Sequence, residues 1–335
     1  MQKTIRLRLT FVYCVCAAVM QCATNSYTQT NLDSTFPGNQ IGFTVPTLVN
    51  PWGFANFGGP RAGSSWFIAD NGTGRASLIM GNGDWGSDIT ITPASGSGVG
   101  SPAGVCVSPG HTVTFATLDG TISDFVTGSK TTIEINNSAR GAVYTACTRW
   151  GPKGPGERIY VANSAGGVEA YDSSFSPVTL PPGAFVDPSV PAGFTPYGIW
   201  SNSQIIWVSF YNGIPGQGQG YIDAFDENGA LLFRLQQGPW MNQPFGMAKA
   251  PANFGRFSKA LLVAMTGSGM IAAFNPQTGS FGGVLADASG HAIVIPGIHG
   301  IGFGNGAEAG PTNSLFFAAG IDGFTQGLFG TITAN

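Results

Sequence analysis

Six short segments bring residues capable of chemistry to equivalent places along the chain. Each has one variable residue, then a glycine, then an apolar run: Asn50-Pro51-Trp52-Gly53, Ser101-Pro102-Ala103-Gly104, Ser138-Ala139-Arg140-Gly141, Thr195-Pro196-Tyr197-Gly198, Gln243-Pro244-Phe245-Gly246 and Gly297-Ile298-His299-Gly300. The variable residues, Trp52, Ala103, Arg140, Tyr197, Phe245 and His299, make an aromatic and weakly cationic set. Arranged around an axis, Trp52, Tyr197 and Phe245 would stack a sugar or aryl ring, and Arg140 and His299 would hold an anionic or hydroxyl group. The plain alternative is that these side chains plug the axis and pack on adjacent units.

A second set is oxygen-bearing. Asp70, Asn71, Asp119, Asn163, Asn212 and Asp322 stand on glycine-rich turns, where hard oxygen ligands suit Ca2+. Turns also select these residues for backbone reasons. The three positions before each index glycine hold no Asp or Glu, so Asp70 and Asn163 are metal candidates without a convergent carboxylate. Zinc is poorly served, because the histidines are only His111, His291 and His299. No Gly-x-Ser-x-Gly elbow is present, and no catalytic set emerges. Two sequons, Asn71-Gly72-Thr73 and Asn136-Asn137-Ser138, offer glycan acceptors in a eukaryotic secretory route.

The elements that must position these residues repeat with the same marks. The index glycines Gly53, Gly104, Gly141, Gly198, Gly246 and Gly300 are 51, 37, 57, 48 and 54 residues apart, and a four-stranded propeller blade takes about 40 to 50. After each glycine come a short apolar strand, a stronger one such as Ser65-Trp66-Phe67-Ile68-Ala69, a turn such as Asp119-Gly120, and a third strand. A more polar fourth strand, such as Ile89-Thr90-Ile91-Thr92, closes several repeats. Sheets of this kind cannot bury their faces alone, so the reading is all-β: a six-bladed β-propeller of four-stranded antiparallel blades. The last repeat runs to the end of the chain, and residues around Tyr27 to Leu32 are expected to supply its outer strand, which removes an exposed edge.

Only 9% of residues are charged, while glycine numbers 51 and proline 22, which suits many short strands and excludes long amphipathic helices. A net charge of −3 without a basic run argues against nucleic acid and anionic membranes as partners. Residues 1–24 carry Lys3, Arg6 and Arg8, then an apolar run from Leu9 to Met20, the pattern of a secretory signal peptide. Residues 25–335 are expected to form one propeller domain, secreted, or periplasmic in a bacterial source. Three cysteines fall in that leader, leaving Cys106 and Cys147. One reading is a single disulfide. Counted from Gly104 and Gly141, however, the pair is offset by four residues, roughly 13 Å along neighbouring strands, which favours two buried free thiols.

The repeat Pro-x-Gly-apolar, followed by a strand and a small-polar-Gly turn, resembles the NHL and SMP-30/gluconolactonase group of six-bladed propellers. Leu48-Val49-Asn50-Pro51-Trp52-Gly53 with Ala69-Asp70-Asn71-Gly72-Thr73-Gly74, and Gly300-Ile301-Gly302-Phe303-Gly304-Asn305-Gly306 with Gly327-Leu328-Phe329-Gly330, further resemble an uncharacterised family of exported propellers. That resemblance implies fold and export, and no chemistry. The reading is a monomeric binding or scaffold module, taking a small molecule, glycan or protein at the channel mouth, with Ca2+ the one cofactor candidate. The alternative is a Ca2+-dependent lactonase, hydrolase or lyase using Asp70 and Asn163.

Overall fold

The computed structural model describes residues 25–335 apart from 39–40, 59–64, 109–111, 152–153, 155 and 203, so the leader expected at residues 1–24, and also His111, lie outside the described residues. Six antiparallel sheets stand around a central axis. Blade 1 is β2 (Pro51–Ala55), β3 (Trp66–Asp70), β4 (Arg75–Ile79) and β5 (Trp85–Thr90). Blade 2 is β6 (Pro102–Val107), β7 (Val113–Thr117), β8 (Thr121–Phe125) and β9 (Thr132–Asn136). Blade 3 is β10 (Tyr144–Trp150), β11 (Arg158–Asn163) and β12 (Gly167–Asp172). Blade 4 is β13 (Thr195–Ser201), β14 (Ile206–Tyr211), β15 (Tyr221–Phe225) and β16 (Leu231–Arg234). Blade 5 is β17 (Pro244–Lys249), β18 (Leu261–Met265), β19 (Met270–Phe274) and β20 (Phe281–Val284). Blade 6 is β21 (Ile298–Phe303), β22 (Leu315–Ala319), β23 (Leu328–Ala334) and, from the other end of the chain, β1 (Tyr27–Ser34).

The expected six-bladed propeller is therefore present, with one departure. Blade 3 has three strands, and its fourth position is reduced to a single bridge between Tyr171 and Pro177. Pro177, Pro181 and Pro182 explain this, because proline has no N–H to donate to a ladder. The closing strand is where it was expected. β1 pairs antiparallel with β23 from Tyr27 opposite Ala334 to Ser34 opposite Leu328, with one bulge between Asn31 and Asp33. Tyr27 also ties this strand to blade 5: its hydroxyl donates to the Phe254 carbonyl and accepts from the Phe257 amide, both at 3.1 Å.

Each inner strand touches the inner strands of both neighbouring blades, and the index glycine is the point of closest approach. A Cβ on Gly53 would lie 2.6 Å from the Ala103 carbonyl oxygen, on Gly198 2.4 Å from that of Phe245, and on Gly246 2.2 Å from that of His299. Every one of the six inner strands has a register shift against its second strand at this level, the signature of a β-bulge. Outside this neck the blades pack face to face through apolar clusters, for example Trp207, Met247, Leu261 and Val263 between blades 4 and 5. Each such buried side chain contributes about 1.5–3 kcal/mol.

The third repeat corrects the index. A Cβ on Gly104 would meet the Cα of Ala146 at 2.7 Å, so Ala146, and not Gly141, occupies the neck in blade 3. Gly141 is the left-handed residue (φ 72°) ending a 3-10 turn over Ser138–Arg140. With that shift Cys106 stands two residues past its neck position and Cys147 one past its own. Their Cα atoms are 5.7 Å apart and they form a disulfide, which overturns the expectation of two free thiols. The bridge staples the innermost strands of blades 2 and 3.

Two measurements check this account. Gly246→Ala is expected to lower unfolding free energy by about 2–3 kcal/mol in denaturant titration. Gly86→Ala, on an outer strand where the nearest atom to a new Cβ is 3.7 Å away, is expected to change it by no more than about 0.5 kcal/mol. Equal effects would show that the neck does not require glycine. Peptide mapping without reductant should recover Cys106 and Cys147 in one cross-linked species, and replacing both by serine should cost about 2–4 kcal/mol.

Candidate functional site

The residues before the neck do converge, but as a closed cluster. Trp52 lies flat against the His299 imidazole, with ring centres 4.7 Å apart and planes at 13°. Its indole meets Phe245 and Tyr197 edge-on at 5.6 and 6.0 Å, and Tyr197 and Phe245 are themselves 5.0 Å apart. Asn50 fixes the indole by accepting from Trp52 Nε1 at 3.2 Å, and Gln243 donates to the Tyr197 hydroxyl at 2.9 Å. Tyr197, Phe245 and His299 are buried and Trp52 is half-buried. At this end the axis is filled by protein side chains.

Arg140 does not join them. It sits exposed in the Ser138–Arg140 turn, and in blade 3 the residue before Ala146 is Thr145, whose hydroxyl donates to the Ala162 carbonyl at 3.2 Å. The expected cationic member is thus absent from the ring. His299 supplies no charge either: it is 1% exposed, and burial pushes its imidazole down to about 3, against a smaller opposing pull of the Gly297 backbone carbonyl. That carbonyl is not in hydrogen-bond geometry with Nδ1, which has no hydrogen-bond partner among the described residues.

The metal candidates are held apart. Asp70 is fully buried in blade 1, where its Oδ2 accepts from the Ser77 amide at 2.9 Å and the Ser77 hydroxyl at 2.6 Å while Oδ1 has no partner. Burial, reinforced by the neighbouring Asp88, raises its pKa well above the carboxylate range despite the bonds from Ser77. Asn163, in blade 3, donates to Glu169 at 2.7 Å and accepts from the Val143 and Ala165 amides, both at 3.0 Å. Among the described residues no group of three or more His, Cys, Asp and Glu is placed to hold a metal ion. The sequons also differ. Asn71 is half-buried and donates to the Pro102 carbonyl at 3.1 Å, whereas Asn136 is exposed at the end of β9 and accepts from the Ser138 hydroxyl at 2.6 Å.

Beyond the aromatic cluster the axis opens into a channel of about 420 Å3. Its wall is largely backbone and small residues, because Gly53, Gly104, Ala146, Gly198, Gly246 and Gly300 face one another there. The far end carries Asn56, Arg149, Trp200, Lys249 and Phe303. Arg149 is engaged, with Nη1 3.1 Å from Glu157 and Nη2 3.6 Å from Asp124. Lys249 is exposed and forms no ion pair among the described residues. These residues were not singled out from sequence. The signal was available, since Asn56, Arg149, Lys249 and Phe303 each stand three residues after a neck position.

No protein-family model matches the chain. It is 32% identical over 207 residues to the uncharacterized protein R640 of Acanthamoeba polyphaga mimivirus, a match taking in 57% of this chain and 37% of that protein. The chain thus aligns with less than two thirds of R640. With the uncharacterized protein R648 of the same virus it shares 26% identity over 326 residues, covering 88% of this chain and 77% of that one. Among solved structures, the soluble aldose sugar dehydrogenase of Escherichia coli superposes with a TM-score of 0.61 at 12% identity, over 92% of this chain and all of that one. Virginiamycin B lyase of Staphylococcus aureus gives 0.55 at 14% identity, over 92% and 99%. At such identities the likeness carries the fold alone: the chain is a six-bladed β-propeller.

Proposed function

We propose that the protein is an exported binding module that holds a small hydroxylated or anionic molecule in its central channel, entered past Lys249. The observation that carries this reading is the channel itself. It has the volume of a small-molecule site, it is blind at the aromatic cluster, and its far end carries Lys249, without an ion pair among the described residues, with Trp200 and Phe303. Backbone amides and carbonyls along glycine-rich strands suit hydroxyl groups, and Lys249 suits a carboxylate. The disulfide between Cys106 and Cys147 supports an oxidising compartment, in keeping with the leader-like residues 1–24.

The enzymatic alternative draws on the names of structural neighbours, which include a lyase and sugar dehydrogenases, one of them in a PQQ-bound form. The residues that would carry Ca2+ here, Asp70 and Asn163, belong to different blades; Asp70 Oδ2 is engaged by Ser77 and Asn163 Oδ1 by two backbone amides. Nothing in this arrangement favours metal-dependent hydrolysis over binding.

Glucuronate and gluconate are suitable probes in thermal denaturation. A ligand at a hundred times its Kd adds about 2.7 kcal/mol of stability, so a rise of several degrees is expected, and Lys249→Glu should abolish it while leaving the ligand-free melting temperature unchanged. If neither probe raises the midpoint, or the variant responds as the parent does, the channel reading fails.

A further inference from the structure

The end of the axis away from Lys249 carries an unusual contact. Between β22 and β23 the chain makes a short turn, Ile321–Phe324, in which Asp322 (φ 51°), Gly323 (φ 66°) and Phe324 (φ 69°) are successively left-handed. For aspartate and above all for phenylalanine this is a costly backbone, tolerated only where something compensates. The result is to hold the Phe324 ring 5.7 Å from the His299 imidazole, tilted by 52°, yet 45% exposed. Two glycines make room for it. A Cβ on Gly320 would lie 2.9 Å from Phe324 Cδ1, and one on Gly297 would lie 3.3 Å from Cε1.

Beneath Phe324, His299 is packed between the flat face of Trp52 and the edge of Phe245, 5.3 Å away. Its Nδ1 is buried and without a partner, a state that a polar group leaves readily when a partner is offered. The Phe324 ring lies against the His299 ring but has no polar atom to give. A strained, half-exposed aromatic residue therefore stands next to an imidazole with a buried nitrogen that has no hydrogen-bond partner among the described residues.

We propose that Phe324 is a built-in occupant of a ring-binding slot formed with Trp52, Phe245 and His299, and that a planar aromatic molecule bearing one hydroxyl or N–H displaces it, pairing with His299 Nδ1. The slot lies at the opposite end of the axis from Lys249 and does not depend on a ligand in the channel. Burial keeps the imidazole neutral, which suits an uncharged phenol or indole better than an anion.

Phenol and toluene are the discriminating probes, because they differ in the hydroxyl alone. Phe324→Gly, which accepts the left-handed backbone without strain, should bind phenol at least tenfold more tightly than the parent and prefer it to toluene. His299 imidazole resonances should shift on addition. Phe324→Asn, which tolerates the same backbone, serves as a second route should the glycine variant fold poorly. Adding His299→Phe to either should erase the preference for phenol, and Lys249→Glu should leave it intact. The proposal is overturned if removing Phe324 does not tighten phenol binding, or if the preference survives without the imidazole. Loss of the glucuronate response alone would bear only on the channel.

Discussion

Everything in this molecule depends on how closely six strands can approach one axis. At the neck, neighbouring inner strands come so near that a methyl group on any of the five glycines would fall within 2.7 Å of a neighbouring strand's backbone atom, and on Gly300 also within 2.3 Å of the Phe54 ring. The bulge at the same level in all six blades turns each strand, placing the residue before the neck on one side and the residues after it along the channel. One steric limit thus separates a filled aromatic end from an open polar one. The fold and the two candidate sites are consequences of the same crowding.

That limit is also why the architecture could be read from sequence. Glycine followed by an apolar strand recurs because only the smallest side chains fit the approach, and the Asn-Gly and Asp-Gly turns recur because hairpins need positive φ. Reading failed where a different residue met the same demand. Ala146 is small enough to stand at the neck, while Gly141, a few residues earlier, answers the unrelated demand of ending a turn. The misplaced index put Arg140 into the ring and separated Cys106 from Cys147, and both errors follow from one shift of five residues between Gly141 and Ala146. Blade 3 lost its fourth strand to Pro177, Pro181 and Pro182, which have no N–H to give a ladder.

The site was less legible than the fold because burial of polar groups is a tertiary property. Asp70 reads as a turn residue or a metal ligand and is in fact enclosed, and His299 reads as a cationic contact and is in fact neutral. Asp33, on the closing strand, is raised to about 7, mainly by burial and against a bond from the Phe43 amide. The stability that it contributes is complete below the ordinary carboxylate value and fades as pH rises through 7. His299 acts in the other direction, since below 6.5 only the unfolded chain gains a proton there, and its contribution is lost as pH falls toward 3. Between about pH 4 and 6.5 the two groups oppose each other, so neither alone sets the acid limit of the ring.

The pairing of β1 with β23 has a kinetic meaning as well as a structural one. Thr28 and Asn335, 307 residues apart in sequence, share a hydrogen bond, so blade 6 is complete only when both β1 and β23 are in place. Five blades are built from local hairpins, which assemble quickly, and the sixth waits for a contact of long sequence separation. Until β23 is made, β1 has no ladder partner in its own blade. The unbroken polar run Thr28, Gln29, Thr30 and Asn31 makes that waiting edge a poor template for apolar strand pairing.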